Sequence, residues 1–206
     1  MVNVPHRLGV TDKPLMEKLK LACVFGLLAL LIYLSRPRMP DFAIGVVLVT
    51  LGTLVRVWAA GHLTRNQQLT TSGPYQYSRN PFYLGRLLLI VGFALMGGVR
   101  HPVVQFLFVV ALLIFFFVYM PRKEQREGDR LRALFGEEYD RWKANVPSLF
   151  PRLTPYRMHP RPWNRELYLS GNEQFGGNKE IWTTLVIILL VGLFYWRLLT
   201  LADTAR

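Results

Sequence analysis

The sequence predicts an all-α membrane protein: a polytopic bundle of about five transmembrane helices, with a cytoplasmic helical segment between the fourth and the fifth. Two properties of the composition favour this fold class. Hydrophobic residues make up 51% of the 206 residues, and the mean hydropathy is +0.23. The formal net charge is nevertheless +12, a combination that is unusual for a soluble globular domain. We therefore treat residues 1–206 as a single membrane domain.

Five apolar runs are each close to the roughly 20 residues that are needed to cross a bilayer. They cover approximately residues 17–35, 41–61, 82–98, 102–120 and 181–201. The first run is too long for the apolar core of a cleavable signal peptide, and it lacks a small-residue cleavage site near its end. A soluble helical bundle is the alternative, but its helices would carry more polar faces than these runs show.

Lys and Arg residues predict how the runs are oriented. Of the 25 Lys and Arg residues, eighteen lie in the N-terminal segment, the 62–81 loop and the 121–180 segment, whereas four lie on the opposite side. Positive charge stays on the cytoplasmic side of a membrane. We therefore expect the N-terminus and both loops to face the cytosol and the C-terminus to face away. Anionic lipid headgroups account for the high charge, and no nucleic-acid-reading motif accompanies it, so no nucleic-acid partner is expected.

A first polar motif, residues 71–85, leads straight into the third apolar run, so its polar groups belong to a membrane boundary. Gly73-Pro74 is a turn signal. Asn80-Pro81 predicts a helix start, with Asn as the N-cap and Pro at the first helical position. The partly positive N-terminus of this helix would face a loop that holds three tyrosines and an arginine. Such a helix start suits an anionic small molecule.

A second polar block, residues 127–139, lies in the segment between the fourth and fifth runs. Residues 122–135 are expected to form a helix that ends at Gly136, followed by a shorter helix, 137–146, that stops before Pro147. Five prolines between 147 and 162 then predict an extended path. Residues 163–170 are expected to form a short interfacial piece anchored by Trp163 and Tyr168, and glycines near 171–178 to connect it flexibly to the last run.

Apolar residues on these two helices recur at three- and four-residue steps and predict one continuous stripe. The stripe consists of Leu131, Leu134, Phe135, Tyr139, Trp142 and Val146. Glu127 lies one turn before it, Lys123 one turn earlier still, and Glu124 nearer its edge, where a solvated acid is expected. A carboxylate on a buried stripe needs a partner or a ligand, because an unpaired one is costly. For Glu127 that partner is either a bound ligand or Lys123, as an i,i+4 pair.

Together the two motifs resemble the isoprenylcysteine carboxyl methyltransferase and phospholipid methyltransferase superfamily of integral membrane methyltransferases. The pattern of that superfamily is roughly G-P-Y-x-x-x-R-[HN]-P-x-Y-x-G, an apolar hairpin, and then E-x-x-x-L-x-x-x-F-G-x-x-Y. The resemblance covers about residues 60–152, which we take as the cofactor-binding methyltransferase core. It implies S-adenosylmethionine as cofactor and methyl transfer as the reaction.

The resemblance also implies the site residues. Cofactor contacts are implied at Gln67, Gln68, Leu69, Thr70, Tyr75, Asn80, Pro81, Phe82, Tyr83 and Glu127. Lys123, with Arg122 beside it, is implied to hold a substrate carboxylate. Two positions depart from the pattern, since relatives often carry an acid at the position of Gly128 and commonly an arginine at that of Lys123. Arg79 is left open between the cofactor and a lipid phosphate. Arg56 and Arg86 either snorkel or line the pocket.

The chemistry implied needs orientation and exclusion of water more than acid–base help, so no catalytic residue is assigned. The implied acceptor is a lipid, a prenylated compound or another lipophilic small molecule that enters from the bilayer, with no obligate protein partner evident. The alternatives are a phospholipid N-methyltransferase, an NADPH-dependent membrane reductase of the sterol-reductase type, and a non-catalytic protein that kept the pocket. The expected location is the bacterial cell membrane, or the endoplasmic reticulum of a eukaryote.

No metal site and no disulfide are expected. The four histidines lie at positions 6, 62, 101 and 159, without the spacing of metal ligands. The single cysteine, Cys23, falls inside the first apolar run, where a small apolar role is the ordinary one.

The charge distribution generates a prediction about topology. We expect alkaline phosphatase, which is active only outside the cytosol, to be active when fused after Arg206 and inactive when inserted into the 62–81 loop or the 121–180 segment, because the positive loops stay inside. Enzyme activity in intact cells is the measurement. A C-terminal fusion that works only with a cytosolic reporter would mean that the number of spans is wrong.

Overall fold

The computed structural model describes residue 26 and residues 30–64, 68–98, 101–170 and 179–204. Within these ranges all regular structure is helical and no strand occurs, so the all-α prediction is confirmed for them. Residues 30–34 are helical and precede α1. In chain order, α1 spans Met39–Ala60, α2 Pro81–Met96, α3 Pro102–Leu113, α4 Met120–Asn145, α5 Arg165–Ser170 and α6 Lys179–Thr204. A 3₁₀ turn, Gly73–Gln76, precedes α2, and a π-helical turn, Ile114–Tyr119, joins α3 to α4.

Three helical stretches are long and apolar enough to cross a membrane: Met39–Ala60, Pro102–Asn145 and Glu180–Asp203. They contain the second, fourth and fifth predicted runs. The third run is an apolar helix of 16 residues, α2, which is shorter than a full span. Most of the first run, with Cys23, lies outside the described residues. The total of five spans and their orientation therefore remain predictions.

Four glycines form the contact between α1 and α2, which run antiparallel. Gly45 and Gly52 of α1 face Gly92 and Gly85 of α2. A Cβ atom at Gly45 would lie 2.6 Å from the Gly92 carbonyl oxygen, and one at Gly52 would lie 2.8 Å from that of Gly85. Only glycine permits backbones this close, and in a membrane such close packing is a main source of helix association. On α1, Gly45 and Gly52 are seven residues apart, which is about two helical turns, and the same spacing separates Gly85 and Gly92 on α2. Both glycines of a helix therefore lie on one face of it.

Helix α6 packs against this pair through a small apolar cluster. Ile187 and Phe194 of α6 are buried together with Phe42 and Val49 of α1 and Met96 of α2. An ion pair adds to the contact, because Nη2 of Arg56 lies 2.8 Å from both carboxylate oxygens of Glu180. Many large apolar side chains of α3 and α6 remain exposed on the outer surface, as expected for helices that face lipid.

Helix α4 breaks at the glycine that the sequence predicted. Gly136 has φ 49° and ψ −123° inside α4, a backbone conformation that suits glycine, so the predicted end of the first helix at this residue is confirmed. Tyr139, Trp142 and Val146 are buried beyond it. Leu134, by contrast, is 50% exposed, and its place in a continuous stripe was wrong. The chain changes direction at Gly136, so the faces of the two halves do not continue into each other.

The proline-rich segment, residues 147–164, is free of helix and contains several bends, so its extended path stays a prediction. It lies along the first motif, and four backbone hydrogen bonds join the two. These run from Arg79 to Pro147 (2.8 Å), Asn80 to Ser148 (3.1 Å), Arg152 to Tyr77 (3.0 Å) and Tyr156 to Gln76 (3.0 Å), the first residue donating its N–H in each case. Trp163, which precedes α5, packs against Tyr168 within α5, with ring centroids 5.8 Å apart. The glycines of 171–178 lie outside the described residues.

The glycine contact generates a stability prediction. We expect Gly92→Ala to destabilise the protein by about 1–3 kcal/mol, because its Cβ would lie 2.7 Å from Val49 Cγ2 and 2.9 Å from the Gly45 carbonyl oxygen. Gly192→Ala in α6 is the matched control, since nothing lies within 4 Å of its Cβ position. The midpoint of thermal unfolding in detergent is the measurement. Equal midpoints for the two variants would contradict the close contact.

Candidate functional site

The two sequence motifs pack directly against each other. Leu69 and Tyr75 from the first region share a buried cluster with Tyr139, Trp142 and Val146 from the end of α4. The indole Nε1 of Trp142 donates a hydrogen bond of 3.2 Å to the carbonyl oxygen of Tyr75. The predicted cofactor residues Leu69 and Tyr75 are thus 2% and 6% exposed. Their side chains help to build the core beneath the site.

The start of α2 lies where the sequence predicted it, with Asn80 as the N-cap residue and Pro81 at the first helical position. The side chain of Asn80 makes no capping bond. Its Nδ2 instead donates to the carbonyl and hydroxyl oxygens of Ser148, both at 3.1 Å. The N–H groups of Tyr83 and Leu84 already donate to the Asn80 carbonyl, and Pro81 has none. The first turn therefore offers an anion fewer free amides than the motif suggested.

A hydrogen bond between Tyr83 and Glu127 joins the motifs at the surface. The Tyr83 hydroxyl donates to Oε2 of Glu127 at 3.1 Å, and the Lys123 Nζ lies 4.0 Å from Oε1 of the same carboxylate. The side chains of Lys123 and Glu127 are 44% and 50% exposed. The expectation that Glu127 lies on the buried stripe was therefore wrong. Such an exposed pair adds little stability, and it leaves the carboxylate open to a ligand.

A partly buried ionic contact with the first motif is made by Glu124. Its Oε1 lies 2.7 Å from Nη2 of Arg79, and its Oε2 accepts a hydrogen bond of 2.6 Å from the Ser148 hydroxyl. The side chains of Arg79 and Glu124 are 12% and 29% exposed. The prediction of a solvated Glu124 was wrong, because helical periodicity does not register a partner 45 residues away. Arg79 pairs with this glutamate.

The Cβ position of Gly128 lies close to Tyr139. A Cβ atom at Gly128 would lie 2.9 Å from the Tyr139 hydroxyl oxygen, so an acidic side chain at this position would meet the ring. Burial raises the pKa of Tyr139 above its usual value, and the charge of Arg79 opposes this only in part. Tyr139 is therefore a neutral phenol here.

The remaining predicted residues include Gln68, Thr70 and Arg122, which the structure describes. Oε1 of Gln68 accepts a hydrogen bond from Arg161, and the Thr70 hydroxyl lies 3.1 Å from that of Thr64, so both hold the loop before the first motif. Arg122 is exposed on α4. Gln67 lies outside the described residues. Contact of any of these residues with a cofactor stays a prediction.

Two pockets lie near the first motif, and the sequence alone did not indicate either. One, of about 140 Å³, is lined by His62, Arg161, Pro162, Trp163, Asn164 and Leu167. Burial, followed by the positive charge of Arg161, lowers the pKa of His62, whose Nδ1 lies 3.0 Å from the Ser72 hydroxyl. The other, of about 260 Å³, is apolar and lined by Val55, Trp58, Pro74, Tyr77, Ser78, Pro81, Leu84 and Pro151. Neither includes Glu127 or Lys123.

Fold and site define a helical membrane protein. Its candidate site is built from the first motif at the start of α2 and from the first half of α4. Residues 40–137 match the phospholipid methyltransferase family. This segment is just under half of the chain, and over it the chain resembles the superfamily of membrane methyltransferases that also contains the isoprenylcysteine carboxyl methyltransferases. The resemblance of the two motifs is thereby confirmed.

Two curated relatives show similarity over part of the chain. One is the cobalt-zinc-cadmium resistance protein CzcN of Cupriavidus metallidurans, with 34% identity over 116 residues, 55% of this chain and 50% of the relative. The other is the nickel-cobalt-cadmium resistance protein NccN of Alcaligenes xylosoxydans xylosoxydans, with 29% identity over 116 residues, 55% of this chain and 51% of the relative. The chain spans about half the length of these relatives. No solved structure matches it.

The Arg79–Glu124 pair generates a second stability prediction. We expect Glu124→Gln to lower stability by about 1–2 kcal/mol, because it leaves the largely buried Arg79 without its counter-charge. Glu137→Gln, at an exposed position of α4, is the control and should change stability by less than about 0.5 kcal/mol. Thermal unfolding of the purified proteins measures both. A Glu124 variant as stable as the control would show that the pair contributes nothing to the fold.

Proposed function

We propose that the protein is an S-adenosylmethionine-dependent membrane methyltransferase that methylates a lipophilic acceptor. The observation that carries the proposal is the Tyr83–Glu127 hydrogen bond of 3.1 Å. It joins the two motifs of the superfamily at one point on the surface of the fold. It also holds a half-exposed carboxylate beside aromatic rings.

The residues around this bond suit the parts of S-adenosylmethionine. The Glu127 carboxylate can accept hydrogen bonds from a ligand's ammonium or hydroxyl groups, and Tyr83 holds it in place. The rings of Tyr83 and Tyr119 meet edge to face with centroids 5.5 Å apart. Phe82 packs at the junction of two clusters. Aromatic faces of this kind favour an adenine ring or a sulfonium cation.

Methyl transfer would break the sulfur–methyl bond of the sulfonium and form a new bond to the acceptor. A carboxylate acceptor needs no proton removed, so orientation and exclusion of water would be the main contributions of the protein. The apolar pocket between Val55, Trp58 and Leu84 supports an acceptor with a hydrocarbon chain. A carboxylate is our first candidate for its reacting group.

A phospholipid amine is the second candidate acceptor, because the matching family is that of phospholipid methyltransferases. N-methylation would require the amine to lose a proton, and hence a base. Incubation of the protein with labelled S-adenosylmethionine and a lipid extract distinguishes the two. A base-labile labelled ester supports the carboxylate, and a labelled, base-stable headgroup supports the amine.

The proposed cofactor contact generates a binding prediction. We expect the purified protein to bind S-adenosylmethionine and S-adenosylhomocysteine in calorimetry. Glu127→Gln should weaken binding roughly ten- to a hundredfold, corresponding to about 1.5–3 kcal/mol, because it removes a charge that meets the ligand. Its midpoint of thermal unfolding should remain near that of the unsubstituted protein, since the Glu127 side chain is 50% exposed.

Glu137→Gln is again the control and should bind S-adenosylmethionine as the unsubstituted protein does. Equal affinities for the two variants would mean that Glu127 serves only to pair with Tyr83 and Lys123. Binding of NADPH, with no heat from either methionine derivative, would move the assignment to the reductase class.

A further inference from the structure

Arg86 lies on the membrane side of the proposed cofactor site. It follows Tyr83 by three residues on α2, so the two side chains lie on neighbouring faces, one turn apart. Its guanidinium carbon lies 4.5 Å from the centroid of the Tyr119 ring. Tyr119 ends the π-helical turn Ile114–Tyr119, and π-turns within α-helices occur often at functional sites.

The charge of Arg86 is balanced only in part, because Glu180 and Glu127 attract it from beyond ion-pair distance while Arg56 repels it. Arg56, the neighbouring cation on α1, is occupied by both oxygens of Glu180 at 2.8 Å. Within the described ranges no acidic side chain lies within ion-pair distance of Arg86. Glu127 is engaged by Tyr83 and Lys123. This region contains three cations, Arg56, Arg86 and Lys123. It contains two carboxylates, Glu180 and Glu127, and therefore has one more positive than negative charge.

An arginine within an apolar helix is costly, and it usually pairs with an opposite charge or faces an aqueous cavity. The Tyr119 ring offsets only part of that cost, because an aromatic face neutralises no charge. A guanidinium presents paired N–H donors that match the two oxygens of a carboxylate or phosphate. Arg86 is thus suited to an anionic group that arrives from the membrane.

We propose that Arg86 binds the anionic group, carboxylate or phosphate, of the lipophilic acceptor. The inference rests on the proposed function. It moves recognition of the acceptor's charge away from Lys123, because Lys123 is 44% exposed and lies beside Glu127, on the cofactor side. Binding at Arg86 would hold the anionic group of the acceptor one helical turn from Tyr83.

The test compares the binding of three probes that share one hydrocarbon chain type. These are oleate, dioleoyl phosphatidate and the uncharged oleyl alcohol, each titrated at pH 8 into the labelled full-length protein in neutral detergent and followed by microscale thermophoresis. We expect one or both anionic probes to bind about tenfold or more tightly than the alcohol. Preference for oleate indicates a carboxylate source, and preference for phosphatidate a phospholipid source.

The variants are Arg86→Gln and Arg86→Lys, with Arg197→Gln as the matched control. Arg197 is also an arginine on an apolar helix, stacked on a tyrosine with 5.8 Å between its guanidinium carbon and the Tyr33 ring centroid. Arg86→Gln should lose the preference for the anionic probes, and Arg86→Lys should keep part of it. The control should keep all of it. Affinity for S-adenosylmethionine should change by less than about twofold in the Arg197→Gln control.

Two results would overturn the proposal. The unsubstituted protein could bind both anionic probes no more tightly than the alcohol, or Arg86→Gln could keep the preference while remaining folded by thermal unfolding. Failure of the proposed function is a separate result. A protein that does not bind S-adenosylmethionine, yet loses its anion preference only with Arg86→Gln, would have the anion site without being a methyltransferase.

Discussion

The close approach of α1 and α2 is the constraint on which the other parts of this structure depend. Four glycines let the two backbones approach closely, and side chains such as Val49 and Met96 pack around them. The same contact creates the environment of Arg56, because a Cβ atom at Gly85 would lie 2.6 Å from its Cγ. The Arg56 side chain therefore extends along α2 and pairs with Glu180 of α6. Its guanidinium carbon lies 5.4 Å from the centroid of the Phe82 ring on α2. The first motif ends in the first turns of α2, so the position of α2 also fixes the position of this motif.

The contacts between the two motifs divide into a structural set and a set open to ligands. Trp142 bonds to the Tyr75 carbonyl, and Arg79 pairs with Glu124, both in largely buried positions. Removing one partner from such contacts costs the desolvation of the other. The Tyr83–Glu127 bond is half-exposed by comparison. The face of α4 on which an acid lies thus decides its role. Glu124 belongs to the structural contacts, and Glu127, on the more exposed face, can still bind a ligand.

The matched family segment does not contain all of the residues that shape its own site. Residues 40–137 cover α1, α2, α3 and most of α4. Ser148 of the proline-rich segment nevertheless bonds to Asn80 and Glu124, and Glu180 of α6 neutralises Arg56. These partners hold the start of α2 and α4 from outside the matched segment. The parts of the chain beyond the family match therefore contribute to the geometry and charge of the candidate site.

The sequence by itself determined the helical class, the apolar runs, the start of α2 at Asn80-Pro81, the break at Gly136 and the family. These depend on local composition and periodicity, which a chain carries regardless of its partners. Only the tertiary structure decided which acid is buried, because the Arg79–Glu124 pair and the Ser148 contact join residues far apart in the chain. The seven-residue spacing of Gly45 and Gly52, and of Gly85 and Gly92, was readable beforehand. That these glycines face each other became known only when the helices were packed.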